Sequence, residues 1–165
     1  MKADTAPILE FLQQIGLDTR RERLDHETFL PGIDVRKGTL LYDPERLSFA
    51  GDLLHEAGHL AVLPPEERSR SDGDFSGNDG CELGAIAWSY SAAVKLELPL
   101  ERLFHPDGYK GDSAWLVETF SNGRYPGLPI LEWRGMTNTN GRVYPQMQHW
   151  LCPASEEPLP SAEEA

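Results

Sequence analysis

The sequence predicts an α+β fold in which about four helices pack against a small, mainly antiparallel sheet. Apolar residues recur at helical spacing in several stretches. Between the first two of these, short β-rich runs around a glycine read as a hairpin. Prolines and glycines fall at the boundaries. The 165 residues suit one domain, expected over 4–152, and residues 153–165, rich in Pro, Glu and Ala, read as a disordered acidic tail.

Asp4 or Thr5 can cap the first helix, Pro7 suits its first turn, and Ile8, Phe11, Leu12 and Ile15 form its apolar stripe before Gly16. The charged stretch 18–27 is compatible with a loop or a short helix. Ile33-Asp34-Val35 and Thr39-Leu40-Leu41-Tyr42 flank Arg36-Lys37-Gly38, and Gly38 would supply the positive φ of a three-residue hairpin loop. A second helix covers about 48–63, until Pro64 and Pro65 remove the backbone donors it would need. After a polar loop over 66–80, a third helix begins near Gly80 and runs to Pro99, with alanines and serines that permit close packing. A fourth spans 113–121, with Asp112 as cap and Gly123 past its end. Residues 125–136 and 142–147 read as irregular strands, joined by a turn at Asn140-Gly141.

Composition narrows the function. Fifteen Lys and Arg against 27 Asp and Glu give a formal charge of −12. Such a chain lacks the clustered cations that bind a phosphate backbone or an anionic membrane, so neither nucleic acid nor membrane is an expected partner. No apolar run approaches the roughly 18 residues of a membrane span. The N-terminal segment does not read as a secretory signal, and Cys81 and Cys152 are too few for a disulfide scaffold. A cytoplasmic setting is the expectation. Nothing in the sequence fixes an oligomeric state.

The chemistry lies in His55-Glu56-Ala57-Gly58-His59, an H-E-x-x-H motif inside a predicted helix. Residues four apart share a helix face, so both imidazoles can reach one metal ion. Glu56 is displaced to the side of that face, where its carboxylate can serve as a base without ligating. Gly58 costs about 1 kcal/mol of helix propensity relative to Ala, which points to a packing or site reason for it.

A third ligand is needed. Val62 and Pro65 exclude the metzincin pattern, and Glu66 and Glu67 would have to fold back past the prolines. Glu82 opens the next helix after a loop long enough to return it toward the imidazoles. Its other reading is an acidic residue favoured by the helix dipole alone. The segment 72–77 begins like a calcium loop, but Leu83 stands where the bidentate Glu belongs, which leaves a solvated rim. His105, Tyr109 or Tyr90 could donate a hydrogen bond to a developing oxyanion; each is equally readable as structural. His26 and His149 read as structural, and the Trp and Phe positions as core.

His55-Glu56-Ala-Gly-His59, then Glu82, Ala85, Trp88-Ser89 and a helix ending at Leu98-Pro99, resembles the minimal gluzincins and more narrowly is similar to ImmA/IrrE-type metallopeptidase domains over about residues 38–99. The resemblance implies a zincin-like fold, with a strand, the H-E-x-x-H helix and a second helix bearing the third ligand. It further implies Zn2+ held by His55, His59 and Glu82, Glu56 as catalytic base, and a peptide or protein substrate. The strand 39–42 could present its edge to that substrate. The other functions compatible with the motif are a zinc amidohydrolase acting on a small molecule and a catalytically silent, metal-binding regulatory protein.

Overall fold

The computed structural model describes residues 2–73, 79–138 and 143–154. The elements run α1 (Thr5–Gln14), β1 (Thr19–Arg21), β2 (Ile33–Arg36), β3 (Thr39–Tyr42), α2 (Gly51–Ala61), α3 (Pro65–Ser69), α4 (Asp79–Lys95), α5 (Leu100–Leu103), α6 (Ser113–Ser121) and α7 (Leu128–Trp133), with a 3-10 turn at Tyr109–Gly111. The α+β class stands, with seven α-helices among the described residues.

The sheet departs from the expectation. Its order is β1-β3-β2; β2 pairs antiparallel with β3, but β1 pairs parallel with it, so the sheet is mixed. β1 lay hidden in the charged stretch because it is an exposed edge strand, Thr-Arg-Arg, with no apolar alternation. β3 is the central strand and has no free edge for a substrate. The outer edge of β2 is also occupied: Val35 N–H donates to Asp34 Oδ1 at 2.9 Å, and Val35 O accepts from Gly73 N at 2.8 Å. The hairpin loop has two residues, not three. Arg36 pairs with Thr39, and both Lys37 (φ 48°) and Gly38 (φ 78°) are left-handed, as a type I′ turn requires.

α2 is the hub. Every one of its residues is buried, and α4 packs along it, with α1, α5 and β2 around. The approach of α2 to α4 is set by Gly58, where a Cβ would meet Ala85 O at 2.7 Å. Arg68 of α3 turns back on the end of α2, donating to Leu60 O (3.0 Å) and Leu63 O (2.9 Å), and also to Cys152 O (3.2 Å). Cys152 N–H in turn donates to Ala61 O. One guanidinium thus caps the helix and straps the C-terminal segment to it.

Residues 128–133 form α7 rather than a strand. Pro129 fits a helix's first turn, Gly127 at φ 89° sets the entry, and Leu131 buries against the core. A Cβ at Gly127 would lie 1.9 Å from Leu83 O, so α7 presses directly on α4. Residues 143–147 contain no strand, and the Asn140-Gly141 turn, the centre of the 72–80 loop and the tail beyond 154 lie outside the described residues. Trp88 is core, as expected, but Phe29, Trp115 and Trp133 are exposed. No helix among the described residues is long and apolar enough to cross a membrane.

Candidate metal centre

Four ionisable side chains, Asp52, His55, Glu56 and His59, project from the fully buried α2. Burying such groups is costly unless they are paired or hold a metal. The fold supplies partners. Glu82, in the first turn of α4, spans both histidines: its Oε1 lies 3.2 Å from His55 Nε2, and its Oε2 lies 2.8 Å from His59 Nε2. The two imidazoles stand nearly perpendicular, 4.9 Å between centroids. One nitrogen from each histidine and one Glu82 oxygen lie within 4.8 Å of one another, near enough to hold one ion.

The donor set fits a metal. Two imidazole nitrogens and one carboxylate are a known catalytic zinc set with a position left for water. Bonds of about 2.0–2.1 Å to a tetrahedral ion place ligands about 3.3 Å apart. The observed contacts of 2.8 and 3.2 Å need only small adjustments. Access is from the Glu82 side, whose side chain is 42% exposed, while the side chains of His55 and His59 are 9% and 3% exposed.

The electrostatics follow from the geometry. Burial works to raise the Glu82 carboxyl, but hydrogen bonds from His55 and His59, and their charges, outweigh it and hold it well below the usual carboxylate range. Burial also works against the His55 cation, yet Glu82, with Glu56 and Asp52 nearby, leaves that imidazole raised. His59 is lowered, by burial first and then by the neighbouring His55. These directions keep Glu82 a carboxylate and favour a proton on His55 over one on His59.

The structure places the other candidates differently. His105 lies outside the trio. Its Nε2 is 2.6 Å from Asp52 Oδ1, and its ring stacks on Phe49 at 3.7 Å. It is 4% exposed and meets α2 at Asp52, about one helical turn before His55. Asp52 is the residue that the sequence reading missed. Its signal was a carboxylate outside the H-E-x-x-H motif, flanked by Gly51, Leu53 and Leu54 on a helix expected to be buried. Burial raises the Asp52 carboxyl, and the hydrogen bond and charge of His105 only partly offset this.

Tyr109 does reach the centre, with its ring edge-on to His55 at 5.3 Å. It opens a run of three left-handed residues, with φ 59°, 53° and 88° at Tyr109, Lys110 and Gly111. A bulky residue in that region is strained, so the position of this ring is maintained against a local cost. Its hydroxyl donates to Leu103 O at 3.3 Å. Burial, with Asp52 and Glu82 nearby, raises the phenol well above its ordinary value, so it stays a proton donor. Tyr90 belongs elsewhere, in an aromatic cluster with Phe120, Tyr125 and Tyr144. His26 bonds to Asp34, and Glu66 and Glu67 are exposed on α3.

No protein-family model, curated protein or solved structure matches the chain. What stands is the cluster itself: two histidines at H-E-x-x-H spacing and a glutamate from the next long helix, gathered about one point.

Proposed function

We propose that the protein is a zinc-dependent metallopeptidase of the gluzincin type. The observation that carries this reading is the convergence of His55, His59 and Glu82, with Glu56 next to His55 on the same buried helix. His55 and His59 would hold the ion through Nε2, and Glu82 through its carboxylate. Zinc, when bound, supplies Lewis acidity, lowering the pKa of a coordinated water to about 7 and polarising a carbonyl.

The chain's own groups do the rest. Glu56 lies about 100° round the helix from His55, so it borders the centre without being directed at the same point as the ligands. It takes a proton from the attacking water and returns it to the leaving amine. Tyr109, kept protonated and beside His55, donates to the developing oxyanion once its hydroxyl leaves Leu103 O. His105 and Asp52 act through position, bracing α2 one turn before the first ligand. A peptide is favoured over a small molecule because the centre opens to solvent at Glu82 and Glu56 lines an open cleft, rather than a closed chamber.

The test is Glu56→Gln, which keeps shape and removes the base. The variant should retain zinc and fold while losing about 10²–10⁴-fold in hydrolysis of peptides found by library screening. Tyr109→Phe in the same assay should lower kcat with zinc content unchanged. A fully active Glu56→Gln protein rules out the mechanism. A wild type that binds zinc but cleaves no peptide makes it a metal-binding protein without turnover.

A further inference from the structure

Glu56 also forms part of a second feature, a cleft of about 270 Å³ between the 26–30 loop and the start of β2. One wall is apolar. Ile33 is buried at its base, Leu30 is half-buried, and Phe29 stands 63% exposed at the mouth. The ionisable groups are mostly acids, Glu27, Asp34 and Glu56, and among the described residues no Lys or Arg lines the cleft. Asp34 is fixed, with Oδ2 2.9 Å from His26 Nε2 and Oδ1 accepting the Val35 N–H. Glu27 forms no ion pair among the described residues. The loop is held in shape: Thr28 Oγ1 donates to Leu30 O at 2.6 Å, and Arg46 donates to His26 O at 3.2 Å.

We propose that this cleft is a side-chain subsite that takes lysine or arginine from a basic peptide segment. The geometry and charge match that chemistry. A long side chain of this kind lays its methylenes on apolar surface and keeps its cation at the polar end. Phe29, Leu30 and Ile33 receive the stem, and Glu27 with Asp34 receives the head. An acidic side chain meets like charge on the same wall, backed by a chain of net charge −12. Because Glu56 lies on the cleft's wall, a side chain seated there brings its own backbone alongside the proposed base. The occupant does not join the sheet, since Val35 already spends both outward backbone groups locally.

This inference rests on the metallopeptidase reading for its catalytic consequence, and two measurements separate the two claims. The first is cleavage of a peptide library by the zinc-loaded wild type, sorted by residue at each position. Lys and Arg should be preferred at one position by at least tenfold over Leu, and more over Glu. Glu27→Lys, a change at an exposed position, should reverse the order toward Glu. Cleavage without a basic preference, or a preference that Glu27→Lys leaves intact, overturns the subsite while the peptidase reading stands. The second is fluorescence anisotropy of labelled peptides, identical but for one Lys, Leu or Glu, on zinc-loaded Glu56→Gln protein. The Lys peptide should bind at least tenfold more tightly than the Glu peptide, with the gap narrowing as salt is added. If the wild type cleaves nothing, the peptidase reading fails and this binding series alone decides the subsite. Equal affinities, or no binding of any peptide, overturn it.

Discussion

Gly58→Ala is the most informative single substitution, because it changes one methyl group at the contact that sets the metal centre. A Cβ at position 58 would lie 2.7 Å from Ala85 O and 3.1 Å from Ala85 Cα, both backbone atoms of α4. Ordinary contact begins at 3.4 Å, so α4 must retreat by about 0.7 Å or α2 must bend. Glu82 lies one turn before Ala85 on the same helix and moves with it. A metal site tolerates about 0.2 Å in each bond, so this displacement is several times too large for Glu82 to keep its place opposite two fixed imidazoles.

Stability responds less than the site does. Overpacking costs about 1–3 kcal/mol, and replacing a helical glycine by alanine returns about 1 kcal/mol. The metal-free variant should therefore be about 0–2 kcal/mol less stable than the wild type. Zinc affinity, measured by competition with a chromophoric chelator, should fall at least tenfold. Thermal denaturation with and without zinc separates the two effects, since the metal-induced rise in Tm should shrink far more than the metal-free Tm drops. A variant about 1 kcal/mol more stable, with wild-type zinc affinity, would refute the claim that this glycine sets the ligand spacing.

Glu82→Ala should weaken zinc binding by at least about 100-fold, beyond the range seen for supporting residues, whereas Glu66→Ala and Glu67→Ala should bind as the wild type; equal losses in the same chelator competition would move the third ligand to α3. Zinc affinity should fall as pH drops, because binding must expel the proton that Glu82 helps hold on His55 against the effect of burial. That proton is held above the ordinary imidazole range, so the fall begins above pH 6.5, at about tenfold per pH unit for each proton released, while Glu82 stays ionised throughout; calorimetric titration from pH 8 to 5.5 with constant affinity would contradict the assignment. Arg68→Ala removes the donor to Leu60 O, Leu63 O and Cys152 O together, and should cost about 1–3 kcal/mol in chemical denaturation; an unchanged midpoint would show that the strap is idle.

The parts of this fold that were legible in the sequence are those whose signal is local. The i, i+4 spacing of His55 and His59 dictates a shared face wherever the helix lies, and Pro64-Pro65 dictates its end. Glu82 was legible for a related reason, as the first-turn acid of the next long helix. The helix at 113–121 was likewise readable from its bounding Asp112 and Gly123, although the Asp112 side chain makes no capping bond. β1 was not, because two arginines on an exposed edge carry no apolar period. Nor was α7, since Pro129 punctuates a strand and opens a helix equally well, and only the Gly127 contact with Leu83 O decides between them.

The groups around the trio depend on packing that no spacing encodes. His105 and Tyr109 are four residues apart, yet one is bonded to Asp52 beneath Phe49 and the other stands beside His55. Their rings still meet, 6.2 Å between centroids; Tyr109 opens a left-handed run, and only Gly111 in that run hints at it beforehand. Asp52 illustrates the same point from the other direction. On a solvent-facing helix it would be unremarked, but on a helix buried all round it is a charge that must be matched. His105 is that match, from a segment 53 residues away. The polar stripe of α2 thus takes partners at two levels, His105 for Asp52 and Glu82 for the two histidines, and they differ in one respect that bears on function. The Asp52–His105 pair is closed to solvent at both ends, whereas Glu82 is 42% exposed. A closed pair holds a helix in place. An ion pair open to solvent can admit a cation between its members, which is the property that a metal site requires.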